Sequence, residues 1–148
     1  MAYSRIAHGP TLLQDRVGGE LRPLTPPPRS HSMSDPTCLF CKIVAGQIPA
    51  EVVHRTDDVL AFRDINPAAP THILVIPIEH ISSLAAAEDE HRELLGRIAL
   101  AARDIAIEEG VSESGYRTVM NTGGDGGQSV HHLHLHLLGG RALSWPAG

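Results

Sequence analysis

Histidine and leucine alternate one by one from position 132 to position 137 of the chain. Because successive side chains of a β-strand point to opposite faces of its sheet, this period of two predicts a strand with histidines on one face and leucines on the other. The leucine face needs an apolar core, so the face formed by His132, His134 and His136 is expected to line something polar. By the same alternation His131 belongs to the leucine face, where we expect it to pack, partly buried.

Apolar segments separated by turn residues predict the rest of a sheet. Strands are expected at residues 51–56, 59–62, 72–77 and 116–120. Residues 88–109 repeat apolar side chains at spacings of three and four and end before Gly110, a pattern typical of an amphipathic helix with a glycine cap. A short apolar segment at residues 38–45 is also compatible with a helix. Short links between strands and one main helix indicate an antiparallel α+β fold.

The N-terminal segment differs from the rest of the chain in its proline content. Six of the chain's 11 prolines lie at or before residue 36, and no hydrophobic period emerges between them. Such a segment cannot bury enough apolar surface to fold by itself. We therefore predict a disordered extension over residues 1–35 and one globular domain, with a sizeable core, over residues 36–148.

Charge and cysteine content narrow the function. A net charge of −5, with only 12 Lys and Arg residues among 148, argues against a nucleic-acid partner, which needs a basic surface. No apolar run is long enough to span a bilayer, and the N-terminus lacks the apolar core of a signal peptide, so we expect no membrane partner. Cys38 and Cys41 are spaced for metal or redox chemistry and not for a structural disulfide, which indicates a reducing, cytoplasmic compartment.

A glycine-rich loop at residues 123–127 precedes the histidines. Glycine backbone can approach an anion closely and offer N–H donors, so this loop beside a row of imidazoles predicts a phosphate or metal site. A neutral imidazole is a competent nucleophile at pH 7, and His134, in the middle of the row, is our candidate. His136 can donate to a phosphate oxygen, and Ser129 can bond a leaving group. Taken alone, Ser129 and Gln128 would be ordinary loop residues.

The residues from His132 to Leu138 resemble the His-φ-His-φ-His-φ-φ motif of the histidine-triad (HIT) family, in which φ is apolar. The Gly-Gln-Ser-Val before them, the Leu-Gly-Gly-Arg after them and the later Trp-Pro are similar to the Hint branch, and the resemblance runs from about residue 38 to the C-terminus. It implies a HIT-like antiparallel sheet with one main helix, assembled as a two-fold dimer. It also implies a nucleotidyl hydrolase that cleaves purine nucleoside phosphoramidates of the AMP-lysine type through a nucleotidyl-histidine intermediate.

The resemblance further implies roles for individual residues. His134 would attack the α-phosphate of a purine nucleotide of the AMP or GMP type, and Ser129 would help an amine depart. The catalytic residues implied are Ser129, His134 and His136. The substrate-binding residues implied are Asp64, Ile65, His72, Asn121, Gly127, Gln128, Ser129, His134, His136 and Trp145. Asp64 would accept from the ribose hydroxyls, although by itself it reads equally as a turn residue. Trp145 would cross to the partner subunit of a homodimer and border its site.

The cysteine pair by itself is ambiguous between a redox pair and half of a metal site. A structural zinc ion needs four nitrogen or sulfur ligands, so two histidines must be added. The resemblance implies that these are His80 and His132, which predicts a structural zinc ion held by Cys38, Cys41, His80 and His132. The competing interpretation leaves the thiols without metal and makes His132 an orienting partner of His134.

Two other functions stay open. One is dinucleoside polyphosphate hydrolysis. The Leu-Gly-Gly-Arg tail argues against it, as does Glu79, which stands near a position where relatives often carry a basic residue that would attract polyphosphates. The other is a nucleotide- and zinc-binding interaction module whose hydrolysis is incidental. A binding module has no need of a nucleophile, so the intact run from Ser129 to His134 favours the enzyme.

Overall fold

The computed structural model describes residues 34–147. Residues 1–33 and residue 148 lie outside the described part, and with them nearly all of the predicted N-terminal extension, whose disorder stays a prediction. Among the described residues, no helix is both long and apolar enough to cross a membrane.

The centre of the fold is one antiparallel sheet of five strands. Its strands are β1 (Val52–Arg55), β2 (Val59–Arg63), β3 (Thr71–Pro77), β4 (Tyr116–Val119) and β5 (Leu135–Gly139). They lie in the order β1-β2-β3-β5-β4, so β3 is central, and every residue of β3 is buried, as its β-branched side chains favour. With one long helix beside this sheet, the predicted antiparallel α+β fold is confirmed.

The main helix, α2, spans Arg92–Glu108 and directly follows a single 3-10 turn at Asp89–His91. Together the two elements cover nearly all of the segment predicted as one helix. At the C-terminal end Gly110 adopts a φ of 71°, and the N–H of Val111 bonds to the carbonyl of Ala106 at 3.0 Å. A second bond, from the N–H of Gly110 to the carbonyl of Ile107, is also 3.0 Å long. The two bonds satisfy carbonyls in the last turn of the helix, so the predicted glycine cap is confirmed.

One face of the sheet packs against α2. The core between them contains Ile98 and Ile105 of the helix and all three leucines of the alternating segment, Leu133, Leu135 and Leu137. The apolar half of the histidine–leucine alternation therefore lies where the sequence predicts it.

The opposite face of the sheet is covered by a short helix, α1 (Leu39–Val44), and the cysteine that precedes it. Phe40 of α1 packs edge-on against Phe62 of β2, with ring centroids 5.5 Å apart. Leu74 and Ile76 of β3 complete this second core. The histidines face this side of the sheet, next to α1.

The strand that carries the histidines begins later than predicted. β5 starts at Leu135, and the residues before it have irregular backbone. The pairing of β3 with β5 ends at Val75 opposite Leu135, and two more residues would place Leu133 opposite Pro77, which has no N–H to donate. The N–H of Leu133 bonds instead to the carbonyl of Ile81, at 2.6 Å. Of the three alternating histidines, only His136 therefore lies within a strand.

The prediction for His131 is wrong. His131 is exposed, whereas the two residues after it are both buried. In the irregular backbone before β5 the alternation of faces no longer holds, so His131 does not join the leucine core.

Candidate functional site

A cavity of about 450 Å³ lies between α1, the end of β2 and the segment that leads into β5. This volume falls in the range of small-molecule sites. Its apolar wall is formed by Leu39, Phe40, Ile43, Ile48, Pro49, Ala50, Phe62, Ile65, Leu74 and Val130. Its polar side chains are those of Glu51, Arg63, Asp64, Ser129, His134 and His136. An apolar cavity that also presents histidines and a hydroxyl can hold an aromatic ring and a phosphate together.

His134 stands in the wall of this cavity, and the backbone carbonyl two residues before it holds its ring. Its ring packs against the edge of Phe40, with centroids 5.3 Å apart, and its Nδ1 lies 2.6 Å from the carbonyl oxygen of His132. A carbonyl can only accept, so Nδ1 carries the hydrogen, and in the neutral ring Nε2 keeps a free lone pair. Nε2 is therefore the nitrogen available for nucleophilic attack.

His136 is oriented through His72 on β3. The N–H of Ala68 donates to His72 Nδ1 at 2.9 Å, so the hydrogen of the neutral His72 ring is on Nε2, which lies 2.8 Å from His136 Nδ1. His136 accepts that bond and must carry its own hydrogen on Nε2. We call this chain of bonds, from Ala68 through His72 to His136, the imidazole relay.

The far end of the imidazole relay is left open in the described part of the chain. His136 Nε2 is buried without a hydrogen-bond partner among the described residues. A buried donor left unpaired costs free energy, which a ligand oxygen in the cavity would recover. His136 is therefore a prepared donor to a bound anion.

Burial keeps the relay neutral. Burial, and then repulsion from His134 and His72, lowers the pKa of His136 to about 4. Burial also lowers the pKa of His72, against the attraction of the Asp64 carboxylate. Both rings are uncharged at pH 7, which is the condition that the relay needs.

Asp64, His72 and His136 also place possible metal-ligand atoms within 4.8 Å of one another. Asp64 Oδ2 lies 3.4 Å from His72 Nε2. A metal shared by the two rings would need lone pairs on both facing nitrogens. His72 Nε2 has no such lone pair, because the N–H of Ala68 donates to Nδ1 and the ring hydrogen is therefore on Nε2. This group fits a hydrogen-bond network and not a metal site.

A second group of ligand atoms, those of Cys38, Cys41, His80 and His132, also lies within 4.8 Å. Cys41 Sγ lies 3.3 Å from His80 Nδ1 and 3.6 Å from His132 Nδ1, and Cys38 Sγ lies 3.5 Å from His132 Nδ1. Sulfur and nitrogen ligands of one tetrahedral zinc ion are separated by roughly 3.5 Å, given Zn–S and Zn–N bonds of about 2.3 and 2.1 Å. The predicted ligand set is thus assembled at distances that suit zinc.

The protonation of this cluster also suits a cation. His132 Nε2 lies 2.9 Å from the carbonyl of Pro77, so it is the donor and Nδ1 turns a lone pair toward the sulfurs. Burial lowers the pKa of His132 to about 4, which keeps that lone pair free. Burial raises the pKa of Cys41 to about 11, so a thiolate here needs a cation to stabilise it.

The glycine loop is organised differently from the expectation. The N–H groups of Gly127 and Gln128 bond inside the loop, to the carbonyls of Gly124 and Gly123, at 2.9 and 3.0 Å. The Gln128 side chain is buried and bonds to the carbonyls of Ser82 and Val130, at 2.7 and 3.0 Å. The N–H groups of both residues and the Gln128 side-chain amide are therefore already bonded within the protein.

The remaining predicted residues lie in two places. Asp64, Ile65 and Ser129 line the cavity, and Asp64 also closes a turn by accepting the N–H of Asn66 at 2.8 Å. Asn121 lies beside the glycine loop, where a Cβ at Gly127 would be 3.9 Å from its Nδ2. Trp145 is 83% exposed and does not line the cavity.

Glu79 does not line the cavity either. Its Oε1 lies 3.7 Å from His91 Nε2, next to the turn that starts α2. The expectation that this carboxylate sets the charge at the rim of the site therefore finds no support in the fold.

Two parts of the site were not predicted from the sequence. They are the apolar wall of the cavity and the N–H of Ala68, where the imidazole relay starts. The wall includes Leu39 and Ile43, one helical turn apart on α1, and Leu39 is 45% exposed. An apolar pair at this spacing beside the cysteines was a usable signal. The N–H of Ala68 gives no signal in the sequence, because every residue except proline has a backbone N–H.

Comparisons with known proteins agree with this geometry. A family model described as "Scavenger mRNA decapping enzyme C-term binding" matches residues 37–144. The purine nucleoside phosphoramidase of Escherichia coli K12 is 50% identical over 105 residues, which are 71% of this chain and 88% of that protein. The 14 kDa zinc-binding protein of Zea mays is 50% identical over 118 residues, 78% of this chain and 91% of that protein.

Solved structures give the same result. The HIT family hydrolase of Legionella pneumophila superposes with a TM-score of 0.75 at 54% identity, covering 76% of this chain and all of that one. Sequence identity and structural superposition thus point the same way, and the chain belongs to the histidine-triad (HIT) family, in the Hint branch that its motifs resemble.

Proposed function

We propose that the protein is a nucleotide-binding hydrolase that cleaves purine nucleoside phosphoramidates of the AMP-lysine type. The observation that carries this proposal is the pairing of two imidazoles in one cavity. The His134 ring bonds to a carbonyl through Nδ1 and so leaves Nε2 for attack, and the Nε2 of His136 has no partner among the described residues. A nucleophile and an oxyanion donor are the two groups that phosphoryl displacement needs. The phosphoramidase of Escherichia coli supports the substrate class.

In the first step the nucleoside would occupy the apolar part of the cavity, with Asp64 facing the ribose. His134 Nε2 attacks the α-phosphorus and forms a P–N bond as the bond to the leaving amine breaks. The leaving amine takes a proton from solvent, relayed by the exposed Ser129 hydroxyl, and His136 donates to a phosphoryl oxygen. The His132 carbonyl, bonded to His134 Nδ1–H, stabilises the positive charge that the ring acquires.

In the second step water attacks the same phosphorus. The P–N bond to His134 breaks, the ring recovers its lone pair, and the nucleoside monophosphate leaves with the oxygen of the water. The proton that the water releases returns to solvent and balances the one taken by the amine. Dividing one displacement into two lets the enzyme use a nucleophile better positioned than water.

We also propose that the cluster of Cys38, Cys41, His80 and His132 holds a structural zinc ion. The distances and the tautomer of His132 support it, as does the zinc-binding relative of Zea mays. A zinc ion here would hold α1 and the segment before it against the sheet. We therefore expect it to stabilise the fold.

We further propose a homodimer. β4 lies at the edge of the sheet, with β5 as its one strand neighbour, so one row of its backbone groups is left open. Leu100 and Ile107 are 51% and 58% exposed on the outer side of α2, and Tyr116 is 38% exposed on β4. Apolar side chains beside an open edge suit a second copy of the chain.

Replacing His134 by alanine should abolish turnover and leave nucleotide binding intact, because the apolar wall and Asp64 are untouched. We expect the rate of phosphoramidate cleavage to fall roughly 10⁴-fold or more, as for other lost nucleophiles. Steady-state kinetics on an adenosine phosphoramidate, with AMP affinity by calorimetry, measures both. His131→Ala is the control, since that ring is exposed. If His134→Ala kept a tenth of the activity, His134 would not be the nucleophile.

Removing a ligand of the metal cluster should release zinc. Elemental analysis of protein purified without added metal should give about one zinc per chain for the wild type and for His54→Ala, and far less for His80→Ala, because both histidines are partly buried and only His80 faces the cysteines. Cys38→Ser should lower Tm by on the order of 10 °C and change kcat of the surviving protein much less. Wild-type protein with little zinc and no thermal response to chelation would contradict the site.

The wild-type chain should sediment as a dimer at micromolar concentration. Leu100→Glu should shift it toward the monomer, because a charge would be buried in the interface. Leu84→Glu is the control, since Leu84 is 44% exposed but lies outside α2. A wild-type monomer in analytical ultracentrifugation would be incompatible with the proposed assembly.

A further inference from the structure

Arg141 lies two residues after the end of β5, against the loop that joins β2 to β3. The chain leaves the sheet through Gly140, whose φ is 86°, a conformation that favours glycine. A Cβ at Gly140 would also lie 2.9 Å from the Cβ of Pro70. Both features keep the start of the C-terminal tail pressed against that loop.

The guanidinium of Arg141 bonds to the loop at one residue. Its Nη2 donates to the carbonyl of Ala68 at 2.8 Å, and its Nη1 donates to the carbonyl of Ala142 at 2.9 Å. The N–H of the same Ala68 donates to His72 Nδ1 at 2.9 Å. Ala68 is therefore held from one side by Arg141 and holds His72 on the other.

Ala68 decides the direction of the imidazole relay. If its N–H moved out of range, His72 could exchange its hydrogen between Nδ1 and Nε2, and His136 could do the same. His136 would then present a lone pair to the cavity for part of the time, which repels a phosphate oxygen. Holding Ala68 in place thus keeps the donor of the site in its donating form.

We propose that Arg141 is a positioning residue for nucleotidyl transfer, acting through Ala68 and His72 to hold the Nε2–H of His136 toward the phosphate. This inference rests on the proposed function of the same cavity. It gives a physical role to the arginine of the Leu-Gly-Gly-Arg segment, which no step of the proposed reaction otherwise uses. Arg141 does not line the cavity, and its guanidinium bonds to the carbonyls of Ala68 and Ala142 and not to His134.

The chain supplies a matched control. Arg117 of β4 also holds the C-terminal tail, since its Nη2 donates to the carbonyl of Ser144 at 2.7 Å. Within residues 34–147 Arg117 makes no hydrogen bond to the loop of Ala68, so we expect Arg117→Gln to loosen the tail and leave the imidazole relay unchanged. Arg141→Lys is the conservative variant, because a lysine ammonium can still donate to the Ala68 carbonyl.

The first readout is the ¹⁵N NMR spectrum of the histidine rings in the ligand-free protein at neutral pH. In the wild type we expect the Nε2 atoms of His72 and His136 to be protonated and their Nδ1 atoms to be unprotonated. Arg141→Gln should move the nitrogen shifts of both rings toward tautomer-averaged values, whereas Arg117→Gln should leave them unchanged. Unchanged shifts in Arg141→Gln, or equal changes in both variants, would overturn the role of Arg141.

The second readout is the rate of the first turnover. Arg141→Gln should slow nucleotidyl transfer about three- to ten-fold, the effect expected from one hydrogen bond, with AMP affinity unchanged and most of the rate restored in Arg141→Lys. A slower rate without any change in the ring shifts would mean direct contact with substrate and would also overturn the proposal. A wild type that cleaves no phosphoramidate would instead overturn the proposed function, since the ring shifts need no substrate.

Discussion

The hydrogen bond from His134 Nδ1 to the carbonyl of His132 is the interaction on which the site depends. It selects which nitrogen of His134 faces the cavity. It is available because the backbone before β5 is irregular, so that this carbonyl is not used in a strand ladder. The carbonyl belongs to a residue whose own ring is fully buried between the cysteines and Pro77. The metal cluster and the nucleophile are therefore successive parts of one segment.

A second constraint comes from crowding. The rings of His134 and His136 lie 5.0 Å apart, and those of His72 and His136 lie 5.2 Å apart. Two protonated rings at such distances would repel strongly in a buried site. Burial and repulsion from the neighbouring rings lower the pKa of His136 to about 4, and burial lowers the pKa of His72. Neutral imidazoles can act as donors or acceptors, and the backbone decides between the two roles. Ala68 makes a donor of His136, and His132 leaves a lone pair on His134.

Much of this arrangement could be predicted from the sequence, because it follows from period and spacing. The leucines at 133, 135 and 137 and the extent of α2 lie where the hydrophobic period predicts them. The approach of the two cysteines to His80 and His132 also lies where expected, but the family resemblance implied it and spacing alone did not. The start of β5 could not be predicted, since it depends on Pro77 standing opposite Leu133 in a register that only the sheet defines. The same irregularity explains why His131 points outward.

The roles inside the glycine loop could not be predicted either. Gln128 reads as a polar loop residue ready for a ligand, yet its amide is consumed by the carbonyls of Ser82 and Val130. Backbone groups with no sequence signal, such as the N–H of Ala68, instead determine which side chains remain free for a ligand.

The central claim is that His134 forms a covalent bond to the nucleotide. Wild-type protein mixed with an adenosine phosphoramidate and quenched in alkali within the first turnover can be digested and analysed by mass spectrometry. The account predicts one nucleoside monophosphate group on the peptide that contains His134, labile to acid as a phosphoramidate linkage should be, and absent from His134→Ala. Full turnover with no such adduct at any quench time, or an adduct on another residue, would contradict it.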